Sequence, residues 1–146
     1  MDESVVFPIY IIVKYLAYCL WSYYGLKILR GQTAVGSAVG FGSARLGLGM
    51  LFGIGVFLVG GMLHLNVPAH PWTLYLSIYA PVRYIEWTIL AALMISSANA
   101  ARRMGEGVTQ RWILGGIVVS HLADLPLILF TYEGTKGFLP VGRFLC

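Results

Sequence analysis

The chain has 146 residues, of which 58% are hydrophobic and only 11% charged, against about 25% charged in ordinary soluble domains. So few charges cannot cover a water-facing surface, and a mean hydropathy of +0.78 points to a membrane instead. The net charge of +4 does not indicate a nucleic-acid partner, because the basic residues are scattered and flank apolar runs, where membrane anchors sit.

A single domain is expected from this length, and no internal repeat or low-complexity linker divides the chain. The sequence opens Met1-Asp2-Glu3 with no basic segment ahead of its first apolar run, so that run is expected to stay as a helix and not to be cleaved as a signal peptide. Cys19 lies inside an apolar run and Cys146 is the last residue, which gives an intrachain disulfide no support.

A helix that crosses the hydrocarbon core needs about 20 mostly apolar residues. Four segments supply them. The first covers about residues 5–29, with Pro8 in a first helical turn where its missing N–H is harmless. The second covers roughly 43–65, with Gly36 as an earlier alternative start. Between Trp72 and Ala98 the apolar stretch is too long for a straight crossing, and Pro81 disfavours helix at Ala80 while removing a donor. Residues 71–79 therefore read as a short interfacial stretch or a first half-helix and 81–98 as the third span; the fourth covers 112–131. The expected fold is all-α, a polytopic integral membrane protein forming one four-transmembrane-helix bundle.

Lys and Arg in short loops stay on the cytoplasmic side. Lys27 and Arg30 follow the first span and Arg102, Arg103 and Arg111 follow the third, against Lys136 and Arg143 on the opposite side. Both termini are thus expected to be extracytoplasmic, in a plasma or inner membrane. Tyr10, Trp72, Tyr75, Tyr79, Trp112 and Tyr132 lie near the span boundaries, as aromatic belts do.

Gly42, Gly49, Gly53 and Gly60 recur at intervals of seven, four and seven, so they share one flat face of the second helix. In lipid, small residues let helix backbones approach closely. That face is expected to pack within the chain, against another copy or other membrane subunits, or to line a groove.

Ionisable groups inside a span are costly, about 2.5 to 3.5 kcal/mol each on insertion scales. The candidates are Lys14 on the first helix, Arg83 and Glu86 on the third, and His121 and Asp124 on the fourth, with Arg45 expected to snorkel from the cytoplasmic end of the second. At about 1.5 Å per residue, Lys14, Glu86 and Asp124 lie roughly 9, 8 and 9 Å from the outer boundary and His121 roughly 14 Å. One shared polar cluster in the outer half of the bundle is the simplest consequence, serving as an ion-pair network, a proton or substrate site, or a catalytic pocket.

No HExxH, CxxC, GxSxG or phosphate-cradling loop is present, so no catalytic residue is assigned. His64 and His70 flank Pro68 without a nearby acid or cysteine, and a haem would have His121 alone, so no metal and no cofactor is indicated.

The run Arg83-Tyr84-Ile85-Glu86-Trp87 resembles the third-helix motif of microbial rhodopsins, in which Arg-Tyr-x-Asp-Trp supplies the retinal counter-ion. Over these five residues the resemblance implies Glu86 as counter-ion and Arg83 as its modulating partner. Rhodopsins, however, have seven helices and a retinal-bearing lysine in the last, whereas four are expected here and the fourth lacks lysine. The Gly-rich run with Arg45 is similar to small fluoride channels, but their Phe-Thr-Thr-Phe-Ser motif is absent. Neither resemblance assigns a family.

Three functions fit these features: a non-enzymatic subunit or scaffold of a homo- or hetero-oligomeric membrane complex; a proton-coupled transporter or channel using Glu86, Asp124 and His121; and an intramembrane lipid-modifying enzyme using the same acids. The expected partners are membrane lipids and the chain itself or other membrane subunits, with no nucleic acid.

Overall fold

In a computed structural model of the chain, residues 3–31, 34–62, 71–96 and 107–131 are described. All regular structure among them is helical: α1 (Glu3–Arg30), α2 (Val35–Met62), α3 (Pro71–Ile95) and α4 (Gly107–Thr131). Each helix starts earlier than the apolar runs suggest. Hydropathy marks what avoids water, whereas the backbone ladder extends through small and polar residues with no intrinsic break. Residues 71–79, expected as an interfacial stretch or a first half-helix, are helical and form the opening of α3, which runs through Pro81 without the expected break. Pro8 likewise lies inside α1 and not in its first turn. Each proline forgoes one donor, and neither breaks the helix around it.

The end of α1 has a local cause. Gly31 takes a left-handed φ of 68° and donates from its N–H to the Lys27 carbonyl at 3.1 Å, a glycine C-cap. Lys27 and Arg30 occupy the last turn, where cations suit the dipole. Arg30 also donates through Nε to the Met94 carbonyl of α3 and lies 5.9 Å from the Phe41 ring centre, tying the ends of three helices together.

α1 lies along α2 and α4 and also touches α3, which packs against α4 and α2. Between α1 and α4, Trp21 donates through Nε1 to the Trp112 carbonyl at 3.2 Å, and Trp112 returns the bond to the Trp21 carbonyl at 3.3 Å. Glycines make room for these rings. A Cβ at Gly25 would fall 2.6 Å from the Trp112 indole, one at Gly115 2.4 Å from Trp21, and one at Gly116 2.6 Å from Trp87. Trp87 in turn stands edge-on to Trp112 at 5.2 Å and to Tyr18 at 5.8 Å, and these three rings fill the core with Leu90, Met94 and Ile113.

Gly42, Gly49 and Gly53 are buried. Gly42 faces α1, where a Cβ would meet Cys19 Sγ at 2.5 Å and the Cys19 backbone at 3.0 Å. Gly60 belongs to α2, but its surroundings lie outside the described residues. A second set, Gly36, Gly40, Gly47 and Gly55, has nothing within 4 Å of an added Cβ.

The outer surface is apolar. Leu16, Leu20, Leu51, Leu58, Leu114, Val118 and Leu122 are each more than half exposed. By length and composition, the segment Val35–Val56 is apolar enough to cross a membrane, with mean hydropathy 1.4 over 22 residues.

The contrast between the two glycine sets is testable by denaturation of the purified protein. Gly42→Ala is expected to lose about 1 to 3 kcal/mol, because the Cys19 backbone cannot yield. Gly47→Ala should be neutral or gain up to about 1 kcal/mol from helix propensity alone. Equal effects at the two positions would contradict this packing.

Candidate functional site

The site grows from one face of α1. Tyr10, Lys14, Tyr18 and Ser22 follow one another every four residues, and all four are buried. The helices packed against this face bring Asp124 and Ser120 from α4, Arg83, Glu86 and Trp87 from α3, and Arg45 from α2.

Asp124 is the first centre. Lys14 Nζ lies 2.8 Å from Oδ1 and donates to Tyr10 Oη at 2.7 Å, while the Tyr10 hydroxyl donates to the same Oδ1 at 2.8 Å. Arg83 Nη2 donates to the other oxygen, Oδ2. One carboxylate thus receives three donors from three side chains on α1 and α3. Lys14 Nζ also sits 5.0 Å from the centre of the Tyr10 ring, and Arg83 5.9 Å from that of Tyr79.

Arg45 and Glu86 form the second centre, with Arg45 Nη2 2.6 Å from Glu86 Oε2 and both side chains fully buried. The guanidinium carbon lies 4.8 Å from the Tyr18 ring centre and 5.1 Å from that of Trp87. Two aromatic faces replace part of the hydration this cation has lost. Trp87 is held by its own bond from Nε1 to Ser120 Oγ at 3.1 Å. The Glu86 carboxyl also lies in the field of Arg83 and Lys14, so the two centres are electrostatically joined.

The structure brings Lys14, Arg83 and Asp124 together and places Glu86 beside them, but Glu86 pairs with Arg45 and not with Lys14. Arg45 does not snorkel, contrary to the expectation from sequence. With α2 starting at Val35, it lies ten residues inside its helix, roughly 15 Å from the end. Counting it also changes the charge balance. Lys14, Arg45 and Arg83 face Glu86 and Asp124, a fixed surplus of one positive charge.

His121 is half-buried at the edge, its Nδ1–H donating to the Ile117 carbonyl one turn back at 2.8 Å. Among the described residues no group of three His, Cys, Asp or Glu gathers to hold a metal. His64 and His70 lie outside the described residues.

Sequence reasoning missed Tyr10, Tyr18 and Ser22 as members of the site. The four-residue spacing from Tyr10 to Ser22 was the signal available for them. The chain matches no family model, and neither a curated protein nor a solved structure resembles it significantly.

The pairing pattern yields a double-mutant test. Glu86→Gln and Asp124→Asn are each expected to lose about 3 to 5 kcal/mol, because each leaves a buried cation unmatched. Arg45→Met should recover much of the Glu86→Gln loss, and Lys14→Met much less. Equal rescue by both would mean that Glu86 does not distinguish its neighbours.

Proposed function

We propose that this chain is a polytopic integral membrane protein whose four helices cross the bilayer with both termini extracytoplasmic, and that it serves as a non-enzymatic subunit or scaffold of a membrane complex. The observation that carries this reading is the inversion of polarity. Lys14, Arg45, Arg83, Glu86 and Asp124 are inside, while large aliphatic side chains cover the outside. Water would reverse that arrangement, and lipid favours it. Helices of 25 to 28 residues extend roughly 38 to 42 Å, enough for a hydrocarbon core of about 30 Å with some tilt.

A scaffold role is supported by the ion pairs Lys14–Asp124, Arg83–Asp124 and Arg45–Glu86, which join all four helices to one another. Lipids and a further membrane helix are the expected partners. Since Gly42, Gly49 and Gly53 face inward, a partner helix would meet α2 on the side of Gly36, Gly40 and Gly47.

One observation favours a second reading, proton-coupled transport. Glu86 is a carboxyl buried within the helix bundle whose Oε1 is not committed to a hydrogen bond, and an intramembrane carboxylate is a candidate proton carrier.

Membrane insertion predicts that the protein stays in the membrane fraction after alkaline carbonate and high salt and leaves it only with detergent. With Cys19 and Cys146 replaced by serine, a cysteine placed at Glu106, in the connection outside the described residues, should react with an impermeant thiol probe only from the cytoplasmic face. Labelling from outside would invert the topology. In reconstituted vesicles the scaffold reading expects proton and ion flux no greater than in empty ones. A flux abolished by Glu86→Gln would favour transport instead.

A further inference from the structure

α1 and α3 carry one pattern in one register. Residues 9–18, Ile-Tyr-Ile-Ile-Val-Lys-Tyr-Leu-Ala-Tyr, match residues 78–87, Ile-Tyr-Ala-Pro-Val-Arg-Tyr-Ile-Glu-Trp, with like chemistry at Lys14 and Arg83 and at Tyr18 and Trp87. The matched side chains also act alike. Lys14 Nζ sits 5.0 Å from the Tyr10 ring centre and Arg83 5.9 Å from that of Tyr79, and both cations reach Asp124. One turn further on, Tyr18 and Trp87 meet edge-on at 5.8 Å, with Arg45 against both rings. Two levels roughly 6 Å apart along each helix thus meet in the same order, so α1 and α3 run parallel. Antiparallel helices that met at one level would part by about 12 Å at the next.

Burial continues the match beyond the shared run. Ser22, Gly25 and Leu26 of α1 are buried, and so are their counterparts in α3, Ala91, Met94 and Ile95. α2 and α4 share no run of sequence, but their buried positions coincide once the connection before α4 is allowed two residues more. Ala38, Gly42, Arg45, Gly49 and Gly53 then fall on Thr109, Ile113, Gly116, Ser120 and Asp124. Matched in this way, Arg45 and Gly116 both face Trp87. The guanidinium lies 5.1 Å from the ring centre, and a Cβ at Gly116 would fall 2.6 Å from the ring. α1 packs against both α2 and α4, and so does α3, as an exchange of α1 with α3 and of α2 with α4 requires.

We infer that the chain is one helix pair repeated in tandem, α1–α2 and α3–α4, about a pseudo-two-fold axis that passes between Lys14 and Arg83 and between Tyr18 and Trp87. Ten residues of partial likeness do not betray this repeat in the sequence alone. The charge cluster is then the interface between the two repeats. At each level a charge on one side answers to a glycine on the other: Arg45 to Gly116, and Asp124 to Gly53. A side chain that reaches a two-fold axis leaves no space for its own symmetry mate, so only one repeat can fill each level. Gly53 is the unused second position from which a carboxylate reaches Lys14 and Arg83.

Exchanging the matched residues tests this in the full-length protein in detergent. Asp124→Gly alone is expected to lower the melting temperature, and adding Gly53→Asp should restore a large part of the loss by returning a carboxylate to the two cations from the other side. Gly49→Asp, one turn away on the same buried face, should restore none of it. If Gly53→Asp rescues no better than Gly49→Asp, the repeat is refuted. Should Asp124→Gly yield no folded protein, the parent background decides. There Gly53→Asp and Gly53→Asn add the same bulk, and the cluster's surplus positive charge makes the aspartate variant the more stable only if position 53 faces it. An asparagine variant that melts at the same or a higher temperature overturns the proposal. Neither measurement depends on membrane topology or flux, so its failure leaves the scaffold reading standing.

Discussion

An ion held between apolar side chains must find its counter-charge inside the protein. The bundle meets this constraint mainly at Asp124. That one carboxylate takes Lys14 and Tyr10 from α1 and Arg83 from α3, so a rotation of α4 by one residue would withdraw it from all three. Arg45 and Glu86 do the same for α2 against α3. Buried pairs of this kind add little stability over well-packed apolar residues of equal size, yet breaking one is strongly destabilising. Their effect is therefore to penalise wrong arrangements, and they specify which helix lies beside which, and in what rotation.

The second constraint is room. Tryptophan is the bulkiest side chain, and three of them lie near the bundle axis without forcing the helices apart because a glycine faces each ring: Gly25 under Trp112, Gly115 under Trp21 and Gly116 under Trp87. The bare backbone also explains the reciprocal indole bonds. With no Cβ at Gly25 or Gly115, each ring approaches the opposite helix closely enough for its N–H to reach a carbonyl already used in the helix ladder. The aromatic and charged layers then meet at Trp87, which touches Trp112 on one side, faces Arg45 on another and bonds Ser120 through its nitrogen.

The number of helices and the membership of Lys14, Arg83, Glu86 and Asp124 in one polar interior were legible in the sequence, because a charge inside an apolar run has few places to go. Helix ends were less legible. Pro81 argues locally for a break, but α3 runs through it, and the bonds from Arg83 to Asp124 and from Trp87 to Ser120 fix the part of the helix that follows it. The misplacement of Arg45 followed from the same uncertainty, since starting α2 near Ser43 leaves that side chain at a boundary where snorkelling is cheap. The glycine stripe was seen, but α2 carries glycines on two faces. Periodicity alone cannot say which face the chain covers itself. The tyrosine and serine members of the site escaped notice because a hydroxyl lacks the cost that makes a buried charge conspicuous.

The two carboxylates are held differently, and this bears on any activity the bundle has. Asp124 accepts three donors, two of them cationic, so protonating it would leave two buried cations short of their counter-charge. Such a group is an anchor. Glu86 has one ion pair through Oε2, to a cation that Tyr18 and Trp87 also stabilise, and its second oxygen has no hydrogen-bond partner. Neutralising Glu86 strands Arg45 less completely, because the two aromatic faces stay in place when the carboxylate charge is lost. A proton-coupled role in this protein would therefore turn on Glu86, with Asp124 and its donors as the fixed frame.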